Sequence, residues 1–258
     1  MFEIGNYVSR KSYNNDTIFK IIDIKDRLYI LKGVDIRLFA DAEESDLVKS
    51  EYEENDDEFL DNVDIRDNLD RSEFFYLPGK ILHIDGDKDY LNRCMQFYKK
   101  VNVYAVGEHV NERDLPNVVG KLLKKYKPDI LIVTGHDSLN KKTDLNNINN
   151  YKNSKNFVKA VYQAREYEKS HDKLIIIAGA CQSNYEELIK AGANFASSPK
   201  RINIHALDPA IIASSIAFSL KNQSIDLINL IEKTKYGSDG MGGIITNGTM
   251  YVGYPRWI

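Results

Sequence analysis

From Lys80 onward the sequence passes through short, mainly apolar stretches, ILHI at 81–84, ILIV at 130–133 and LIIIA at 174–178, with longer segments of helical apolar spacing between them. A run that is apolar at every position has no solvent face. It therefore fits a strand covered on both sides, as in a parallel sheet with crossover helices. Strands are predicted at 81–84, 101–106, 130–134 and 174–178, with a weaker one at 194–196. Helices are predicted at 90–99, 115–126, 155–169 and 185–191, followed by a pair at 209–220 and 225–234. Pro128 marks the break before the third strand. The expected fold class is α/β, three layers around a mostly parallel sheet.

Residues 1–40 read differently. Short alternating stretches at 6–10, 18–24, 28–31 and 36–39, with turns at 14–16 and 25–27, predict a small β-barrel-like module. Residues 41–75 hold 15 acids against Lys49, Arg66 and Arg71. That charge density opposes burial, so an exposed acidic linker is expected at 41–76, with the α/β domain at 77–258. The overall charge of -3 conceals about -12 in this segment and about +9 elsewhere. The bases form no compact cluster with interleaved aromatics, which argues against a nucleic-acid partner. No run of 18 apolar residues occurs and MFEIGNYVSRK lacks a signal-peptide core, so a soluble intracellular protein with no membrane partner is expected. Two cysteines, Cys94 and Cys181, are too few for a disulfide framework and lack zinc spacing, so no metal and no cofactor are expected.

Ligands collect at the carboxyl ends of strands in open α/β sheets, so the residues after each apolar run carry the functional signal. The third run, DILIVTGHDS, delivers Gly135, His136 and Asp137; the fourth, KLIIIAGACQS, delivers Cys181, 45 residues after His136. One helix-containing crossover fits in that interval, so the two residues can share an edge of the sheet. A thiolate is the nucleophilic form of cysteine, and an adjacent imidazole or a helix N-terminus favours it. Gly135, Gly179 and Ala180 leave room for a peptide backbone, and N–H groups near Cys181 and after His136 could hold an oxyanion. A lone Cys or His at such a place is ordinarily a packing residue, and it is the pair that points to catalysis. Asp85 and Asp87 sit where phosphorylation receivers carry metal-binding acids, but the receiver's acceptor position reads Gly135-His136. His83, His109, His136 and Cys181 have no ligand spacing. Cys94 is expected to pack among Leu91, Met95 and Tyr98, and His205 to be structural. GSDGMGG reads as a lid or turn, and the C-terminal residues as a hairpin.

The two strand ends, with His136 after the first and Ala180-Cys181 after the second, resemble the caspase-like cysteine peptidases. More closely, VTGHDSLNKK and IIIAGACQSNYEELIKAGANFASSPKRINIHALDP resemble the YabG family of sporulation-specific peptidases, with IDGDKDYL and the N-terminal module extending the likeness over nearly the whole chain. The resemblance implies a caspase-like domain in which Cys181 and His136 are catalytic. The implied partners are protein substrates, spore coat and germination-related proteins, in the mother cell of a sporulating bacterium. It also implies specificity for one residue before the cleaved bond. If that residue is basic, Asp137, Asp208 and Asp239 are the candidate pocket acids. Where caspase-like enzymes have Gly after the His, this chain has Asp137, which bears on the second oxyanion donor. Self-cleavage at Arg66 or Arg71 in the linker is a further expectation. Two other readings fit the same residues: a thiol amidohydrolase or amidotransferase on a small amide, and a non-catalytic coat-assembly scaffold.

Overall fold

The computed structural model describes residues 2–52, 72–140 and 144–256, and the chain divides into two compact units, Met1–Asn62 and Val63–Ile258. In the first, β1 (Tyr7–Arg10), β2 (Phe19–Lys25), β3 (Leu28–Gly33), β4 (Phe39–Glu43) and β5 (Leu47–Lys49) form one antiparallel sheet in the order β4-β3-β2-β1-β5. Alternation puts Val8, Phe19, Ile21, Leu31 and Leu47 into its core. The fourth strand lies at Phe39–Glu43, not at 36–39, and β5 falls inside the segment expected to be linker. Ala42 and Leu47 point inward while Asp41, Glu43 and Glu44 are exposed, so the acids occupy the outer face of paired strands. The module therefore continues past residue 40, to Lys49. The rest of the expected linker, Arg66 and Arg71 included, lies largely outside the described residues.

The second unit has a six-stranded sheet with strands β7 (Ile81–Asp85), β8 (Ala105–His109), β9 (Ile130–Thr134), β10 (Ile175–Ala178), β11 (Phe195–Ser197) and β12 (Met241–Gly243). Their order is β12-β11-β10-β9-β7-β8, parallel except for β12. One face carries α2 (Leu115–Tyr126), α3 (Ser154–Tyr167) and α4 (Tyr185–Lys190), which bury Leu123, Phe157 and Leu188 against Leu82, Val133 and Ile176. On the other lie α1 (Lys88–Val101) and α5 (Asp208–Phe218). Every residue of α5 is buried, so it has no polar face, as expected of a helix enclosed on all sides. The chain continues through α6 (Leu227–Glu232) and α7 (Gly237–Gly240). These are the three layers and mostly parallel sheet that the apolar runs predict.

Three details depart from expectation. Helix α1 runs on to Val101 and stops at left-handed Asn102, so β8 begins at Ala105. As an edge strand, β8 is only half-buried and has no apolar run to announce it. GSDGMGG forms α7 and the antiparallel edge strand β12, not a lid. The last strand, β13 (Tyr251–Gly253), pairs with β6 (Phe75–Leu77) and makes no hairpin.

Arg165 near the end of α3 ties the entry of two strands together. Its guanidinium donates to the carbonyls of Glu168, Ser170, Leu174 and Gly192 and to Asn194 Oδ1, which in turn accepts the Ile176 N–H. Lysine cannot reproduce this fork. Arg165→Met is expected to lower unfolding stability by about 2–3 kcal/mol, read as a reduced urea midpoint, with Arg165→Lys recovering only part of it.

Candidate functional site

Parallel pairing brings the carboxyl ends of β7, β9, β10 and β11 to one edge. Asp85 pairs with Thr134, Val133 with Ala178, and Ala178 with Ala196. The chain leaves β7 for β8 on one side and returns to build β9, β10 and β11 on the other. The switch in winding therefore lies between β7 and β9, where α/β sheets open a crevice. His136 and Cys181 each lie three residues beyond the paired positions Val133 and Ala178.

His136 is almost buried. Its Nε2 lies 2.9 Å from Asp87 Oδ2, and its N–H donates to Glu112 Oε1 at 2.8 Å. The Tyr90 ring is tilted against the imidazole at 5.6 Å between centroids. Glu112 is itself buried and needs two glycines around it, since a Cβ on Gly86 or Gly135 would come within 2.2 or 2.5 Å of its Oε1. Gly135 is thus fixed by the close approach of Glu112, which the sequence reading does not single out.

Behind the imidazole the polar groups form a second buried set. Tyr98 Oη is 2.8 Å from His83 Nδ1, and His83 Nε2 is 3.0 Å from Thr134 Oγ1. Thr134 donates to Asp85 Oδ2, and Asp85 Oδ1 accepts the Asp87 N–H. Asp85 and Asp87, weighed from sequence only as metal-binding receiver acids, are therefore partners of His83 and His136. Among the described residues no group of three or more His, Cys, Asp or Glu side chains is arranged to hold a metal ion. The signal that could have drawn Asp87 to the site is its place as a helix cap at a strand tip.

Cys181 sits in the turn between β10 and α4. Gly179 at φ +106 and Gln182 at φ +56 take left-handed conformations there, and the Ala180 N–H donates to Ser183 Oγ. A Cβ on Gly179 would meet Leu188 Cδ1 at 2.8 Å, so only glycine fits. Helix α4 is capped by Asn184, so Cys181 lies in the turn that precedes the helix, outside its first turn. The sulfur instead accepts the Ile204 N–H at 3.3 Å and lies 3.8 Å from the Ile204 carbonyl. The backbone at Ile204 thus offers the sulfur both a donor and an acceptor. The thiol is fully buried, with the chain around Ile204 against it.

The three candidate pocket acids separate clearly. Asp137 accepts from Ser154 Oγ, Ser183 Oγ and the N–H groups of Ser138 and Asn153, and burial still holds its carboxyl above the ordinary range. It is a scaffold acid of the strand tip. Asp208 is fully buried and accepts the N–H groups of His205 and Lys235, closing the turn into α5. Asp239 alone of the three is exposed, in the short α7. The adjoining backbone meets the segment after β11, where the Ser198 and Lys200 N–H groups donate to the Gly240 and Asp239 carbonyls. Cys94 packs on α1 with its sulfur 3.4 Å from the Ala206 carbonyl, and His205 is buried beside it in sequence.

Residues 3–66 and 58–255 match the family model of the YabG peptidase U57. The sporulation-specific protease YabG of Bacillus subtilis (strain 168) is 40% identical over 284 aligned positions, covering 98% of this chain and 98% of that protein. The chain belongs to the YabG peptidase family. Membership makes it a sporulation protease, a hydrolase acting on proteins. No helix among the described residues is long and apolar enough to cross a membrane.

Within this YabG-family fold Asp137 holds the His136 tip to α3 and to the Cys181 turn. Asp137→Ala is expected to strand two hydroxyls and two N–H groups and to cost about 3 kcal/mol. Urea unfolding checks this: an unchanged midpoint would mean that the acid is free to serve a substrate.

Proposed function

We propose that this YabG-family member is a cysteine endopeptidase of caspase-like mechanism, with Cys181 as nucleophile and His136 as its acid and base. The observation that carries the reading is the common register of the two residues, three positions past the paired ends of adjacent parallel strands. The turn after β10 supports it, since Gly179 and Ala180 before the thiol leave room for a peptide backbone.

In this mechanism Cys181 Sγ forms a bond to the carbonyl carbon of the scissile peptide, and its proton passes to His136. The N–H groups of Cys181 and Asp137 are assigned to the oxyanion. Collapse expels the amine, which takes the proton from His136, and leaves an acyl-thioester. Water then attacks that ester, with His136 again accepting a proton, and frees the carboxylate and the thiol. Because Cys181 is buried, the chain around Ile204 has to move aside for a substrate.

The substrates are assigned as spore coat and germination-related proteins, cut in the mother cell. That assignment rests on family membership and on the sporulation-specific protease of Bacillus subtilis. A basic residue before the cleaved bond is proposed, with Asp239 as the remaining acid of the three to face it, because it alone is exposed.

Cys181→Ala and His136→Ala should each abolish cleavage of a protein substrate, Cys181→Ala with an unfolding midpoint close to that of the parent. Iodoacetamide should inactivate the parent enzyme. Retained activity in the Cys181→Ala variant would leave only a scaffold or a different nucleophile. Among fluorogenic peptides, those with Arg or Lys before the bond should be cut best. Asp239→Asn should raise KM for those peptides more than it lowers kcat, and equal cutting after Ala would remove the basic preference.

A further inference from the structure

We propose that Asp87 is the positioning residue of this site, holding the His136 ring so that Nδ1 serves the thiol and stabilising the imidazolium that forms. The inference rests on the reading of Cys181 and His136 as nucleophile and base, and adds a third residue to it.

Asp87 divides its carboxylate between two tasks. Oδ1 caps α1, accepting the N–H groups of Asp89 and Tyr90 at 2.9 and 3.2 Å, which fixes the side chain to the helix start. Oδ2, so oriented, lies 2.9 Å from His136 Nε2. A carboxylate accepts, so Nε2 carries the proton and donates it. The ring nitrogen with a basic lone pair is then Nδ1. That is the tautomer a base needs when its other nitrogen is held by an acid.

The groups behind Asp87 agree with a single assignment of protons. Thr134 has one hydroxyl proton and gives it to Asp85, so it must accept from His83 Nε2; His83 Nδ1 then accepts from Tyr98. The donors run toward Asp85, whose other oxygen takes the Asp87 N–H. The backbone of Asp87 is thereby fixed from behind while its side chain is fixed by the helix. All of these groups are buried, so the Asp87 charge acts on the imidazole with little screening by water. Three other acids lie near His136 in the described contacts. Glu112 meets its backbone N–H, the Asp137 carboxylate is held by Ser154 and Ser183, and Asp89 follows on the α1 side.

The test is Asp87→Asn in the full chain, beside Cys181→Ala. Asparagine keeps the cap through its oxygen, but it presents an N–H to Nε2 and so favours the opposite tautomer. With an arginyl fluorogenic peptide, kcat is expected to fall about 10²-fold or more with KM changed little, by analogy with the wrong-tautomer variant of a serine protease triad. The second reading is alkylation of Cys181 by iodoacetamide, followed by mass spectrometry. It should slow about tenfold near neutral pH, where the thiolate depends on the imidazolium, and match the parent well above about 8.5, the ordinary thiol pKa. A purely structural role would slow it at both. If the Asn variant does not fold, Asp87→Ser, whose hydroxyl keeps the cap, carries the same two measurements. Parent-like kcat and alkylation in a variant at Asp87, with Cys181→Ala inactive, overturns this inference alone. An active Cys181→Ala overturns the thiol reading beneath it.

Discussion

Strand β9 is paired in parallel on both sides, to β7 and to β10, and the candidate site depends on that double pairing. A parallel ladder has one register across its length, so fixing Ile130 against both Ile81 and Ile175 also fixes what lies beyond the last pair. His136, Cys181 and Asp87 then emerge at the same edge although 94 residues separate the first from the last. The register is specified by burial, since all five residues of β7 and β9 and all four of β10 are enclosed. A slip of one residue would exchange the two faces, bringing His83 and Thr134 against the aliphatic layer under α2 and α3.

That alternation also sorts the chemistry. Leu82, Ile84, Leu131 and Val133 face α2 and α3 and form a purely apolar core. The intervening positions His83, Asp85 and Thr134 belong to the other face and bond to one another and to Tyr98 of α1. Buried carboxylates in such a place are stable only if donors reach them. Asp85 receives a hydroxyl and an N–H, and Asp87 receives two N–H groups and an imidazole. Glu112 adds a third buried carboxylate against the His136 backbone, and the space for it exists because positions 86 and 135 lack a side chain.

What could be read in the sequence follows from the same physics. Strands enclosed on both faces are mostly apolar, so β7, β9 and β10 are visible as runs, and α2 shows its full length, Leu115–Tyr126, because one face alone is buried. Edge elements lose that signature. β8 is half-buried, β5 is only three residues long within an acidic stretch, and β13 pairs with a partner more than 170 residues away. The His136 and Cys181 tips were legible because each directly follows a visible strand. The Asp87 contact was not, since a cap aspartate looks the same in sequence whether its second oxygen meets water or, 49 residues on, an imidazole. Nor can spacing distinguish the four-donor Asp137 from the exposed Asp239.

The sulfur poses the remaining physical constraint. The Ile204 N–H and carbonyl that bond the sulfur come from the very chain that closes Cys181 from water. That chain reaches Ile204 through two left-handed non-glycine residues, Ser198 at φ +65 and Arg201 at φ +57, conformations that persist only when neighbours hold them. The holding is visible: Arg201 donates to Tyr151 Oη, to Glu186 and to the Ser198 and Pro199 carbonyls, while Ser198 Oγ accepts the Gln182 N–H next to the thiol. On the thiol reading, a substrate carbonyl at Cys181 competes with this ordered segment for the same space. The Ile204 N–H that bonds the sulfur in the closed chain is then given up as the peptide takes its place.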